Sequence, residues 1–469
     1  MFKTERQKQV LQVVLTLLGL IGFIFLLFAR SKIFISDTAW HIKVGEWIVD
    51  NKAFPKYDSF SLLSTYLDLN FTAHEWLFGV IIFFVDKIFS LNGLMVITAL
   101  TVLFSYAYSI FKSGAKLPAL LVSALFIFFQ FSGSIVCRPA VFSAILVVGL
   151  GYLYSYETNK IKKYLITLLS LLFLANFQGG YAFIVMIQFI WIFVCKSIIN
   201  KKVDKDGIIL LCASFIITLI NPYGIGIYKY ILVSGNSIKM YNTDFLPFSF
   251  SNIFQLGVVL VIVILSIVGY VRKNENRVLD LLIMFMYLAM VLYYRRTLDL
   301  FNYAFIIYMS KYLSWLFEKQ LVKNISYVLC NIFSICLILF VVNHEKLPNK
   351  STEDYIREDI IGTKICSELQ DKRFYNTMES GGYLIYLEQK PFIDTRNDVY
   401  TEEFGNPNIL ELSAKSLYSE ALMFNLTSKY NLDYLLLERN SLTSQVFYAS
   451  DLWEVITESK NYVLLKKIE

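Results

Sequence analysis

Apolar residues run through this chain in blocks, each closed by a short polar or basic segment. The blocks measure roughly 15–20 residues, about the length a helix needs to cross a bilayer. They fall near 10–29, 92–111, 117–133, 139–157, 163–176, 180–197, 207–221, 254–271, 278–294, 299–316 and 324–343. The pattern predicts an all-α polytopic membrane bundle of about eleven spans. After residue 343 it changes. KRFYNT, GYLIYL, PFIDTR, DYLLLE, EVITES and NYVLLK read as short strands, and 408–428 has helical spacing. These predict a transmembrane module over 1–343, with an outer loop at 31–75, and a small α/β domain over 344–469.

Composition agrees. The 469 residues are 56% hydrophobic and 17% charged, against about 25% charged in soluble chains. The net charge of +6 sits mostly in loop lysines, so it carries topology and is no footprint for nucleic acid. The six cysteines form no CxxC pair and read as small buried apolar residues. Lys3, Arg6 and Lys8 before the first block place the N-terminus in the cytoplasm. Alternate loops are then basic: Lys112 and Lys116; Lys160, Lys162 and Lys163; Lys196, Lys201, Lys202 and Lys205; Arg272, Lys273 and Arg277; Lys319 and Lys323. This register holds only if EWLFGVIIFFVDKIFS at 75–90 is an interfacial or re-entrant helix and no crossing. The C-terminal domain is then extracytoplasmic, in a multi-pass cell-membrane protein.

Candidate chemistry concentrates at 37–76. Two of the chain's three histidines, His41 and His74, lie there with Asp37, Glu46, Asp50, Asp58, Asp68 and Glu75. Asp37 and His41 are four apart and share a face of a helix. Asp37 reads as a general base or as that helix's N-cap, and His41 as a site residue or a surface histidine at the lipid interface. Asp58 reads as a second site carboxylate or as the cap of the next short helix. Glu75 suits the first turn of a helix, and His74 precedes it. On the same outer side the pattern places Arg138, Gln178, the turn NPYG at 221–224, and the pair Arg295–Arg296. Arginines on the lysine-poor side suit a lipid-linked phosphate, or they snorkel to lipid or pair with Asp299. QGG and NPYG read also as simple helix stops. In the C-terminal part, Gly381 and Gly382 suggest a tight turn before a strand. Asp394, Arg396 and Asp398 read as a salt-bridge cluster or a sugar contact.

The order of these features resembles the GT-C superfamily of membrane glycosyltransferases. More narrowly it is similar to a group of bacterial membrane proteins with the pattern D-x-x-W-H-x-x-x-G-x-x-I, P-x-x-D-x-F-S and H-E-W-L. Here these are Asp37, Trp40, His41, Gly45 and Ile48; Pro55, Asp58, Phe60 and Ser61; and His74, Glu75, Trp76 and Leu77. Arg138-Pro139, Asn176-x-Gln178-Gly179, NPYG, GGYL and FIDTRNDVY match the same group, so the resemblance covers nearly the whole chain. It implies transfer of a sugar from a polyprenyl-phosphate carrier to an extracytoplasmic glycan, lipid or protein. Asp37 matches the loop carboxylate that serves as base, with His41, Asp58 and His74 assisting. Glu75, Arg138, Gln178, Arg295 and Arg296 are the substrate-binding candidates. No cofactor and no DxD metal motif is predicted; the lipid-linked sugar is substrate, and membrane lipid is the other partner. A non-catalytic protein that transports or scaffolds lipid-linked envelope glycans is the alternative.

Overall fold

The computed structural model describes residues 34–130, 136–237, 253–273, 277–319 and 350–468. The predicted blocks at 10–29 and 324–343, the end of the 117–133 block and His344 lie outside these residues. By internal packing the chain falls into two units. One takes residues 95–224 and the described parts of 239–347; the other joins 34–94 and 225–238 to the segment from 348 onward.

The first unit is helical. Its elements are the later part of α2 (Trp76–Lys112), α3 (Lys116–Gln130), α4 (Pro139–Tyr156), α5 (Lys160–Phe177), α6 (Gly179–Asn200), α7 (Lys205–Thr218), α9 (Ile253–Lys273), α10 (Val278–Tyr293) and α11 (Leu298–Tyr308), followed by a 3₁₀ segment at Ser310–Phe317. They fall where the apolar blocks predict helices. Among the described residues, α2, α4 and α6 are long and apolar enough to cross a membrane, and Val259–Arg272 and Val278–Tyr293 are shorter apolar helices. Local signals set the ends. Pro139 occupies the first position of α4, where its missing N–H is no loss. Asn159 caps α5 by accepting the Lys162 N–H at 3.0 Å.

Charge sorts between the two ends of this bundle. Tyr156, at the end of α4, donates its hydroxyl to Asp280 in the first turn of α10. Lys311 pairs with the same carboxylate at 2.5 Å and Tyr312 donates to it at 3.0 Å. Lys162–Glu157 and Lys160–Asp206 pairs lie at this end, as does Lys196, which donates to the Tyr154 carbonyl. The helices run the other way to Arg138, Gln178 and Arg295–Arg296. The Phe142–Phe177 ring contact at 6.3 Å keeps the start of α4 beside the α5–α6 corner. Lysines thus gather at one end and the paired arginines at the other, as the loop alternation predicts.

A helix is present where the interfacial or re-entrant one is expected at 75–90: α2 breaks at Ser90, whose φ of 51° and ψ of −154° are not helical, before the next apolar block. Thr352 and Tyr386 donate hydroxyls to Asp86 at 2.5 and 2.6 Å.

The second unit opens with α1 (Ser36–Asn51). Asp37 is not its N-cap, as one expectation had it. The cap position is Ile35, and Asp37 lies in the first turn, where a negative charge favours the helix dipole. The first part of α2 crosses α1 backbone to backbone: a Cβ on Gly45 would lie 2.2 Å from the Gly79 carbonyl oxygen. On another side α1 meets α13 (Met378–Tyr386; α12 is Thr363–Glu368). There a Cβ on Gly382 would lie 2.0 Å from the Ser36 carbonyl oxygen. Helix α8 (Gly226–Ser237), for which the apolar pattern gave no signal, also belongs to this unit.

A four-stranded sheet of order β1-β2-β4-β3 completes the unit, with β1 (Phe374–Asn376) parallel to β2 (Tyr434–Glu438) and β3 (Trp453–Glu458) and β4 (Tyr462–Lys467) antiparallel. Four of the six expected strands are present. GYLIYL is instead helix α13, so Gly381 and Gly382 make close helix contacts and no turn. PFIDTR forms no strand because a side chain replaces the ladder: Asn376 donates to the Ile393 carbonyl and accepts from the Phe392 N–H, at 2.8 and 2.7 Å. The helical stretch at 408–428 is two helices, α14 (Ile409–Ser416) and α15 (Glu420–Tyr430), capped by Asn408 and Ser419; α16 is Leu442–Tyr448.

The glycine crossing gives a direct test. Gly45→Ala forces backbone apart and should cost about 1–3 kcal/mol, read as a lower melting midpoint of the purified protein. Gly180→Ala, with nothing within 4 Å of the added carbon, should leave the midpoint unchanged. Equal midpoints for both variants would contradict the packing.

Candidate functional site

One turn of α1 carries Asp37 and His41 onto the same face, and their environments differ sharply. His41 is 3% exposed. Its ring stacks on Trp40 at 3.6 Å and meets the edge of Phe78 at 5.1 Å. Trp40 is itself fixed by donating its indole N–H to Thr395 Oγ1 at 3.1 Å. The surface reading of His41 at a lipid interface is therefore overturned. Asp37 is half-buried and faces the C-terminal segment. Burial above all, then Tyr462, Tyr355, Glu379 and Asp37 in turn, pushes the Tyr383 phenol well up, so it stays a neutral donor.

Glu75 joins the two histidines. Its Oε2 lies 3.2 Å from His41 Nε2 and 3.8 Å from His74 Nε2. His74 is oriented by its Nδ1, 3.3 Å from the Thr72 carbonyl. Its ring lies 4.4 Å from that of Tyr230 in α8, which in turn lies 5.1 Å from Phe404. The buried Asp398 carboxyl is pushed up by desolvation, against the opposing pull of His74 and Arg396. The result is a row of titratable groups, His41, Glu75, His74 and Asp398, walled by aromatic rings. Such a row can hold and pass protons at a water-poor surface.

Asp58 is engaged elsewhere. Its carboxylate accepts the N–H groups of Phe60 and Ser61, both at 3.1 Å, and so turns the chain into the 3₁₀ segment Leu62–Thr65. It also receives Arg396 Nη1 at 2.7 Å, with both side chains fully buried. Arg396 forks onto Asp394 through Nε and Nη2, at 2.9 and 2.7 Å, and Tyr400 donates to Asp394 at 2.5 Å. Phe60 and Phe71 lie 5.1 and 4.9 Å from the guanidinium. The salt-bridge reading of Asp394 and Arg396 is the one that the geometry carries, and Asp58 belongs to it.

The other candidates lie in the helical unit. Arg138 precedes α4 and is half-buried. Gln178 sits at the α5–α6 corner, buried, with its Oε1 unbonded among the described residues. Arg295 is exposed and Arg296 half-buried in a 3₁₀ turn before α11. NPYG is a turn: Asn221 donates to the Thr218 and Gly224 carbonyls and accepts from the Tyr223 N–H. Sequence reasoning had no hold on Tyr230 or Phe404, which stand in stretches without a distinguishing pattern. Among the described residues no group of three or more His, Cys, Asp or Glu is placed to hold a metal ion.

No protein-family model matches the chain, and no curated protein matches it by sequence. Solved structures do match. The apo oligosaccharyltransferase of Archaeoglobus fulgidus aligns with a TM-score of 0.58 at 10% identity, over 91% of this chain and 69% of that one. AglB, an archaeal oligosaccharyltransferase from A. fulgidus in complex with an inhibitory peptide and a dolichol-phosphate, gives 0.58 at 10% identity over 92% and 70%. ArnT from Cupriavidus metallidurans bound to undecaprenyl phosphate gives 0.54 at 10% identity over 99% of both chains. The chain therefore has the fold of the GT-C membrane glycosyltransferases.

The buried arginine network should show in acid. Burial opposes the charge on Asp58, but Arg396 and the hydrogen bonds from Ser61 and Phe60 hold its carboxyl below the usual range. A depressed folded pKa contributes stability fully above the unfolded value of about 3.9 and loses it as pH falls through the folded value. The wild-type midpoint should thus drop below about pH 4. Asp58→Asn leaves Arg396 paired with Asp394, so it should cost about 1–3 kcal/mol at neutral pH and flatten the acid limb. An acid limb of unchanged slope in the variant would contradict this reading.

Proposed function

We propose that this protein is a membrane glycosyltransferase that moves a sugar from a polyprenyl-phosphate carrier to an acceptor outside the cytoplasm. The observation that carries the reading is the full-length fold likeness to ArnT bound to undecaprenyl phosphate. The AglB complex with a dolichol-phosphate supports the same donor class.

Asp37 is the proposed base. It is the acidic residue of the first turn of α1, half-buried, and a carboxylate serves as general base where it comes within hydrogen-bond reach of the acceptor's proton. It takes the proton of the acceptor's nucleophilic group as that atom bonds to the sugar's anomeric carbon. The bond from that carbon to the phosphate oxygen breaks, and the electron pair leaves with the phosphate. Arg295 and Arg296, with Arg138 and Gln178, are assigned to the phosphate, where guanidinium groups stabilise the developing charge. His74 and Glu75 are assigned to acceptor protons. His41 acts through Glu75 as a positioning residue, and Asp58 acts through Arg396 in the same way. The lysine-rich end of the bundle is assigned to the cytoplasm and the C-terminal part to the outside, on the loop charges.

Mass spectrometry of envelope glycans, with and without the protein, tests the reading. Loss of the protein should remove a glycan species, and Asp37→Asn, present in the membrane at the wild-type level, should fail to restore it. General-base catalysis supplies about 10²–10⁴-fold, so residual product should be slight. Full restoration by Asp37→Asn would rule out the mechanism, and binding of lipid-linked sugar by the purified protein with no new glycosidic bond would favour a transport or scaffold role.

A further inference from the structure

A charged pocket lies on the flank of α1 away from His41. It measures about 350 Å³ and is lined by Ile42, Lys43, Glu46, Phe83, Asp86, Lys87, Glu353, Arg357, Tyr386, Leu387 and Glu388, within the range of small-molecule sites. Its lining is mostly charged, with Ile42, Phe83 and Leu387 as the apolar part. Two of its charged groups are already satisfied: Asp86 accepts hydroxyls from Thr352 and Tyr386, and Lys43 pairs with Glu46 at 2.5 Å and Glu388 at 3.2 Å. Others keep capacity. Among the described residues Arg357 engages Nε alone, on Glu353 at 2.8 Å, which leaves its two terminal nitrogens. Lys87 lies 5.4 Å from the centre of the Phe83 ring and has no carboxylate at ion-pair distance among the described residues. Glu388 is 80% exposed in its side chain. The pocket thus offers cations and carboxylates together.

The helix that supplies Asp86 and Lys87 also presents Phe84, Ile88 and Phe89 to the outside, at 45%, 67% and 63% exposure. Bare apolar side chains beside a two-signed charged pocket match an amphiphile with a two-signed head. We propose that this pocket takes the headgroup of a zwitterionic membrane phospholipid bearing a primary amine, of the phosphatidylethanolamine class. Its phosphate bonds to Lys87 and Arg357, since a guanidinium presents a fork to phosphate oxygens. Its ammonium donates to Glu46 and Glu388. Its chains lie along Phe84, Ile88 and Phe89. A choline head has no N–H to donate to the carboxylates. A purely anionic head meets four carboxylates against three cations and is disfavoured. This assignment needs the chain to lie in a membrane, but it does not depend on the transferase reading.

The full-length protein in nanodiscs of phosphatidylethanolamine, phosphatidylcholine and phosphatidylglycerol tests it by native mass spectrometry. Phosphatidylethanolamine should be retained about tenfold over either of the others. The double variant Lys87→Glu/Arg357→Glu should lose that preference while keeping its melting midpoint, and Asp37→Asn should retain it. Should the double variant not fold, the wild type still decides. Glycerophosphoethanolamine should displace the retained lipid and glycerophosphocholine should not. Equal retention of the three lipids, or no displacement by glycerophosphoethanolamine, would overturn the proposal.

Discussion

The second unit depends on one buried cation. Arg396 is fully buried, so its charge has to be met by protein. Asp394 meets it from two residues away, and Asp58 meets it from 338 residues away. That second bond fixes the irregular chain of 55–71 to the C-terminal segment. Around it, Asn70 and Asn406 exchange backbone and side-chain hydrogen bonds at 2.7 and 3.0 Å, and the Leu62 N–H donates to the Pro391 carbonyl. Leu62, Leu63, Leu69 and Phe71 anchor this loop by burial, and the polar contacts fix its path. Removing Asp58 leaves Arg396 paired with Asp394 alone, and its Nη1 loses its acceptor in a buried place.

This constraint propagates to the candidate chemistry through short covalent links. Thr395 precedes Arg396 and holds Trp40; Trp40 covers His41; His41 touches Glu75. Asp398 follows Arg396 by two residues and faces His74. The titratable row is thus braced from one segment, 394–398. The glycine contacts act in the same sense. Gly45 and Gly382 let α1 approach two neighbours at backbone distance, and packing that close resists the small rotations that would part His41 from Glu75.

The helices of the first unit were legible because apolar blocks of this length favour helix. Lys160, Lys162 and Lys196, which the charge pattern groups on one side, lie at one end of the bundle. The sheet was legible where strands alternate or run apolar, as in DYLLLE and NYVLLK. It failed at GYLIYL because the deciding fact is tertiary: Gly382 must abut Ser36. PFIDTR failed because Asn376, a side chain, takes the backbone bonds that a neighbouring strand would have taken. The Asp58–Arg396 pair could not be read from spacing at all, since no local rule links residues so far apart. Asp37 and His41 were placed on one face correctly, but periodicity does not say which of two facing groups is sealed in.

That distinction separates the roles within the site. A group that exchanges protons with a substrate has to be reached by it, whereas a group that orients another gains from being enclosed. His41 lies between Trp40 and Phe78 with its outer nitrogen on Glu75. Asp58 has Arg396 and three hydrogen bonds on its two oxygens. Both are committed within the protein. Asp37 and His74 are partly open, and each stands beside an enclosed partner in sequence or in space. The enclosed residues fix where the open ones point, so Asp37 and His74 are the more accessible of the four candidates, and His41 and Asp58 the more enclosed.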